Sequence, residues 1–523
     1  MERIIRDSLV SASVVFLNGP RQAGKSTLVQ HLAATGLDAD YATLDDITTL
    51  SAATHDPEGF LRQFVRPLII DEVQMAPGLF RAFKLLVDEQ RARTGAGANG
   101  QYLLTGSANI MALPGLADAL VGRMAILPLY PLSATEALGQ GVPVINGLFD
   151  QDIAPAKRSR ASGAHSSFDE VVRRATFPGI AGAAEQAAAL WFDGYLSALL
   201  QRDVRSLAEV EKITELPNIV KLLAARVGGL LNDADCARDA RLNAMTYRRY
   251  RILLERLFLI ALIPPWSRNI GKRLVKSPKL YFTDTSLLCH QLGVELGSLP
   301  RQNPGLFGRI LENFVATELL KQVGMSTDGT LFHFRSHDNR EVDFVVERRN
   351  GSIIGIEVKA NESVTADDFA GLRILKDYAK DGFRRGIVLY RGKHIVPFGT
   401  DMIAMPLESL WTLNIDTKTD KDIRVLSKAD GKAFEAVAFW ADYGERTRVQ
   451  CLIPRAVVDD YLYEDSTEKQ AVQAVRNHWD LVWPIFVRKI LEGRIEIVCP
   501  ADAPAFRRVT LEPSDLGFRD FRT

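Results

Sequence analysis

Residues 14–26 read VVFLNGPRQAGKS, an apolar run followed by GPRQAGKS at 19–26. The second part fits GxxxxGK(S/T), and the apolar run supplies the strand from which such a loop springs. The spacing has a chemical reason. Glycines let backbone N–H groups close around the β- and γ-phosphates of a nucleotide, Lys25 neutralises them, and Ser26 can ligate Mg²⁺. The helix starting there points its positive end at the anion. Gly19, Pro20, Arg21, Gln22, Ala23, Gly24, Lys25, Ser26 and Thr27 therefore make up the expected ATP cradle. A chance match in a chain of this length is expected roughly 2% of the time, so context decides.

The context agrees. PLIIDEVQ at 67–74 reads as a buried strand with Asp71 at its carboxyl end, where ligands bind in open α/β sheets. Asp71 is expected to hold Mg²⁺ through water, and Glu72 to polarise an attacking water, which favours hydrolysis over binding alone. Thr105 and Ser107 end the run YLLTGSAN. They read equally as a γ-phosphate sensor and as a simple strand-to-loop hydrogen bond. Arg123 reads either as an arginine finger acting across a subunit contact or as an ordinary surface arginine. Further apolar runs at 41–45 and 124–127, with helical stretches between some of them, predict a parallel sheet covered by helices.

The whole chain has 523 residues, which at roughly 150 per domain suggests three or four domains. Its 64 Lys+Arg balance 64 Asp+Glu, so any nucleic-acid binding must come from a local patch rather than from global charge. Cys236, Cys289, Cys451 and Cys499 are widely spaced without a CxxC pair, which argues against a zinc ribbon or a disulfide framework. No HExxH motif occurs. The start has no signal-peptide pattern, and the apolar run Leu257 to Trp266 is about half a membrane span. A cytoplasmic protein with no membrane partner is expected.

The runs GPRQAGKST, LIIDEVQ, LLTGS and VGR-to-LYPLS resemble the AAA-type ATP-binding proteins of bacteria and archaea that carry an uncharacterised C-terminal domain. The resemblance continues through YLSALLQRDV, KLYFTDTSLL, GRILENFVATEL, EVDFVVE and IEVK, and spans about residues 1–410. The stretch 151–167 departs from it as an insertion that touches no motif residue. What the resemblance implies is an ATPase fused to a winged-helix segment and a restriction-endonuclease-like domain.

Residues 233–284 hold eleven Lys/Arg against five acids, a local excess of six positive charges. Helix, helix (TYRRYRILLERL), then strands is the order of a winged helix-turn-helix, with Arg248 and Arg249 as the expected contacts to a DNA backbone. The competing reading is a lid packed on the ATPase. Further on, Asp343 lies in EVDFVVE, and Glu357 and Lys359 project from one face of the next strand. Glu312, on an amphipathic helix over 309–322 whose apolar face carries Ile310, Leu311, Phe314, Val315 and Leu319, can join them. The set is similar to a PD-(D/E)xK nuclease core, where carboxylates hold Mg²⁺ and the lysine steers the attacking water. A salt-bridged sheet edge without metal is one alternative; a nuclease-derived binding domain without cleavage is another.

NIDTKTDKD at 414–422 reads as a linker. The last hundred residues carry a near-balanced charge and an alternating hairpin on Val437, Phe439, Val449, Cys451 and Ile453, followed by Trp479, Trp483 and Phe486 at core-like helical spacing. The expected architecture is α/β, with a P-loop ATPase domain (1–184), a helical connector or lid (185–232) and a winged-helix-like segment (233–298). A PD-(D/E)xK-like domain (299–413) and a small α+β accessory module (423–523) complete it. The expected function is a Mg²⁺-dependent ATPase switch coupled to nucleic acid through 233–284, with a protein partner for 423–523 and a homo-oligomer as further expectations. A DNA nuclease gated by ATP and an ATP-regulated protein scaffold are the rivals.

Overall fold

A computed structural model describes residues 1–35, 37–94, 98–107, 122–138, 144–150, 167–200, 213–269, 271, 273, 277–325 and 328–412 of the first part of the chain. Beyond these it describes 419–427, 434–443, 447–458, 470–472, 475, 486, 496–498 and 506–511. Most of the insertion at 151–167, together with Trp479, Trp483 and Cys499, lies outside the described residues. The chain forms two compact units, Met1–Leu413 and Asn414–Thr523.

The first unit begins with a parallel sheet of β1 (Val14–Asn18), β2 (Asp40–Thr43), β3 (Leu68–Asp71), β4 (Tyr102–Gly106) and β5 (Met124–Pro128) in the order β2-β3-β4-β1-β5. Every pairing is parallel, and in register Val14 faces both Tyr102 and Met124. The uninterrupted apolar runs follow from burial on both faces. Val14 and Phe16 pack into one core with Phe80 and Phe83, while Val15 and Leu17 pack into another with Ile5, Val29 and Leu32. These partners come from α1 (Glu2–Ser11), α2 (Lys25–Ala34) and α3 (Leu79–Thr94). Because β4 stands between β3 and β1, a residue at its carboxyl end sits between the phosphate loop and the acidic pair.

Helices α4 (Glu185–Ala198) and α5 (Leu216–Ala225) lead to α6 (Asp233–Asp239) and α7 (Ala244–Arg256). An antiparallel pair follows, β6 (Ile260–Ile263) and β7 (Lys279–Phe282). Asn232 and Asn243 cap α6 and α7, accepting backbone N–H groups of their first turns.

Next comes α8 (Pro304–Gly324), entered through Asn303, whose side chain accepts the Leu306 N–H at 3.0 Å, with Pro304 at the first helical position. It covers a six-stranded mixed sheet of β8 (Gly329–Arg335), β9 (Glu341–Arg348), β10 (Ile353–Val358), β11 (Phe383–Tyr390), β12 (Val396–Pro397) and β13 (Met402–Pro406), ordered β12-β13-β11-β10-β9-β8. The pairs β8–β9 and β9–β10 are antiparallel, and β10–β11 and β11–β13 parallel. Helix α9 (Ala370–Ala379) buries Leu372 and Leu375 against this sheet.

The second unit is a sheet of β14 (Thr419–Ser427), β15 (Phe434–Tyr443), β16 (Thr447–Pro454), β17 (Glu496–Val498) and β18 (Phe506–Thr510), ordered β14-β15-β16-β18-β17. The expected linker at 414–422 is partly wrong, since β14 begins at Thr419. A charged, polar segment is what an edge strand tolerates, because charge there discourages pairing with another chain. Cys451, Ile453 and Val437 are buried in this unit, as is Phe486. Among the described residues no helix is long and apolar enough to cross a membrane.

Candidate nucleotide site and a carboxylate centre

The strand β1 hands over to a tight loop that ends at α2. Gly19 is required by a close approach, since a Cβ there would lie 2.0 Å from the Leu129 carbonyl oxygen. Gly24 has φ +89°, a conformation that favours glycine. Lys25 is buried, and its Nζ donates to the carbonyls of Gly19 at 3.0 Å and Pro20 at 2.7 Å. Burial pulls its amine down to about 8, against the opposing pull of the Glu72 and Asp71 carboxylates. Both acids are therefore near enough to act on its charge.

Asp71 ends β3, buried. It accepts the Tyr41 hydroxyl at 3.1 Å on one oxygen and the Thr105 hydroxyl, in a short contact, on the other. The Thr105 oxygen also accepts the Glu72 N–H at 3.1 Å. One side chain from β4 thus fixes both members of the acidic pair. Glu72 has a left-handed backbone, φ 57° and ψ 43°, rare outside glycine and a form of strain seen at functional sites. Gln74 bridges onward, donating to the Glu72 carboxylate in a short contact and to Ser107 Oγ at 3.0 Å. Tyr41 and Gln74 escaped the sequence reading. Gln74 stood in the quoted run, two residues past Glu72, whereas nothing local marked Tyr41.

Arg123 stands elsewhere. Its carbonyl accepts the Val14 N–H at 3.1 Å, which puts it at the opposite end of the sheet from the loop after Asn18. Its guanidinium pairs with both oxygens of Asp88 at 2.7 and 2.9 Å, and that pairing holds the Asp88 carboxyl below its usual range. Arg123 is therefore out of reach of the phosphate loop of its own chain.

The four residues of the expected nuclease centre are neighbours but do not converge on one point. Lys359 Nζ lies 3.0 Å from Glu357 Oε1, and Asp343 accepts the Val358 N–H at 2.9 Å. A fifth residue is added. Lys279 of β7, buried, places its Nζ 2.9 Å from Glu312 and 3.1 Å from Asp343, while Tyr281 donates to Glu312 at 2.6 Å. Burial works against the Lys279 charge, but Asp343 and Glu312 outweigh it and hold the ammonium above the usual lysine range. Burial and then the charge of Asp343 push Glu312 up to about 7 and Glu357 up to about 8. Mg²⁺ fits these residues poorly as they stand, because an ammonium already spans two of the carboxylates. Among the described residues no three His, Cys, Asp or Glu side chains converge to hold a metal ion.

The positive excess of 233–284 is reduced by acids outside the window, which neutralise Lys279 and Arg273, whereas the Asp233 and Asp235 partners belong to the count already. Lys279 is internal, Arg251 is buried against Asp233 at 2.9 Å, Arg238 pairs with Asp235 at 3.1 Å, and Arg273 pairs with Glu347 at 2.6 Å. Lys272 and Lys276 lie outside the described residues. Arg248 and Arg249 are exposed on α7.

Comparison with known proteins bears on these sites. Residues 11–138 match the model of an AAA domain, residues 165–297 a domain of unknown function (DUF8612) and residues 307–410 another (DUF4143). An uncharacterised protein of Mycobacterium tuberculosis is 28% identical over 411 residues, covering 78% of this chain and 83% of the relative. An uncharacterised protein of Haemophilus influenzae is 24% identical over 395 residues, covering 70% and 86%. Among solved structures, a Walker-type ATPase of Pyrococcus abyssi is 13% identical, covers 56% of this chain and 94% of its own, and gives a TM-score of 0.31. With the loop, the acidic strand and the family match in agreement, residues 11–138 are an AAA-type, P-loop nucleotide-binding domain.

Proposed function

We propose that the chain hydrolyses ATP and uses the cycle to switch the modules that follow the AAA domain. The observation that carries this reading is the shared Thr105 hydroxyl, which ties Asp71 and Glu72 into one unit beside Lys25. Lys25 exchanges the Gly19 and Pro20 carbonyls for phosphate oxygens, and the helix start of α2 adds its dipole. Ser26, directly, and Asp71, through water, are the residues that would hold Mg²⁺, which when bound neutralises charge on the phosphate oxygens. Glu72 orients the attacking water and accepts its proton, with Gln74 keeping the carboxylate in place. Thr105 and Ser107, hydrogen-bonded to Asp71 and Gln74, are the residues through which a change at the γ-phosphate would reach this unit. The exposed pair Arg248 and Arg249 supports a nucleic-acid backbone as the partner of the segment 233–284, and the sheet of 423–523 is left for a protein partner.

Phosphate release by Lys25→Ala, checked for folding by thermal unfolding, tests the assignment. Turnover is expected to fall by at least roughly 10²–10³-fold, the scale of losing one preorganised charge-stabilising donor. A folded Lys25→Ala chain that turns over ATP normally removes the assignment.

A further inference from the structure

The carboxylate centre contains a cation supplied by the chain itself. Lys279 opens β7, a strand buried along its whole length, and it is 4% exposed. Its backbone is pinned on two sides, paired with Ile263 in the hairpin and bridged to Leu230. The side chain has little freedom to leave. Its Nζ reaches Glu312 on α8 at 2.9 Å, Asp343 on β9 at 3.1 Å and Glu341 more distantly at 3.8 Å. Two residues along the same strand, and so on the same face, Tyr281 donates to the same Glu312 oxygen at 2.6 Å.

Most of the acceptors that a metal would need are engaged, while Glu357 Oε2 stays buried without a hydrogen-bond partner. Glu312 Oε1 receives both Lys279 and Tyr281; Asp343 uses one oxygen for Lys279 and the other for the Val358 N–H. Glu357 Oε1 receives Lys359. Hard divalent cations bind carboxylate oxygens at about 2.0–2.6 Å, and one held between Glu312 and Asp343 would have to bridge the same two side chains that the ammonium already joins at hydrogen-bond distance. A doubly charged ion beside a buried ammonium would also be repelled by it.

We propose that the Lys279 ammonium is the resident cation of this centre, bridging Glu312 and Asp343 where a nuclease core of this type would carry its metal, so that these carboxylates take no divalent ion. The centre is then an ionic joint between the β6–β7 hairpin and the sheet domain. This inference stands apart from the ATPase reading, since none of its residues belongs to the phosphate loop.

The test is Mn²⁺ binding to the full-length, nucleotide-free chain, followed by the electron paramagnetic resonance signal of free Mn²⁺. Wild type and Asp343→Asn should bind identically. Lys279→Met should gain Mn²⁺ affinity by at least ~10-fold as the neighbouring positive charge is lost, and the further change Asp343→Asn should abolish that gain. Thermal unfolding checks that each variant is folded. Mn²⁺ bound by the wild type and lost in Asp343→Asn overturns the proposal, and so does a folded Lys279→Met that takes up no more Mn²⁺ than wild type. Should Lys279→Met not fold, the comparison of wild type with Asp343→Asn decides alone.

Discussion

Thr105 shows how much of a site one hydroxyl can organise. It donates to Asp71 and accepts from the Glu72 backbone, and this positioning contact is the one through which the proposed sensing of the γ-phosphate would act. Its partners follow from the strand order, because β4 lies between the loop strand and the acidic strand. Glu72→Gln tests the next step. That variant should retain nucleotide affinity while turnover falls by roughly 10²–10⁴-fold, the range for losing a general base. Fluorescent-nucleotide binding set against phosphate release separates the two effects, and an unchanged rate would take Glu72 out of water activation. Lys25, Asp71 and Glu72 were legible because the loop and the acidic strand end are local patterns. Tyr41 was not, since it meets Asp71 only through the pairing of β2 with β3. Lys279 was misjudged for a different reason. Counting charge along a window ignores burial, although KLYF already placed Lys279 and Tyr281 on one face of a strand.

Among the elements, α8 departs furthest from its sequence reading. The expected apolar face is there, with Ile310, Leu311, Phe314, Val315 and Leu319 buried. Yet Asn313, Thr317, Glu318, Lys321 and Gln322 are buried as well, so the helix is enclosed rather than amphipathic at a surface. Periodicity marks only the apolar face; the burial of the polar residues follows from their partners. Asn313 accepts the Phe282 N–H at 2.8 Å and donates to Thr285 at 3.0 Å, and Gln322 donates to the Leu410 carbonyl at 3.1 Å. Satisfied in this way, buried polar groups specify a single packing arrangement. Phe314 anchors the apolar side, with ring centroids 5.2 Å from Phe168 and 5.8 Å from Trp411. Phe314→Ala should cost about 3–5 kcal/mol, seen as a lower denaturant midpoint for the first unit. A midpoint within error of wild type would mean that the helix is not the core element described.

At the scale of the molecule, the same helix joins the AAA domain to the sheet domain. Glu318 accepts the Ala134 N–H at 2.9 Å, Lys321 donates to the Leu132 carbonyl at 2.8 Å, and Gln322 accepts the Ile145 N–H at 3.1 Å. The residues just before, at Leu129, abut Gly19 of the phosphate loop. A continuous line of contacts therefore runs from the loop through 129–134 to the carboxyl half of α8, whose amino half carries Glu312. Hydrogen exchange tests whether the line transmits. A non-hydrolysable ATP analogue should slow exchange at the backbone amides of 132–137 and 318–324; identical exchange with and without it would sever the proposed route. The ionic joint at Lys279 has a consequence for how such chains can be cut and recombined. The lysine lies upstream of residue 299 and its carboxylate partners lie downstream, inside one unit that extends to Leu413. A splice at 298 would strand two acids on one fragment and an orphan base on the other, so the two segments are expected to be inherited, swapped or lost together.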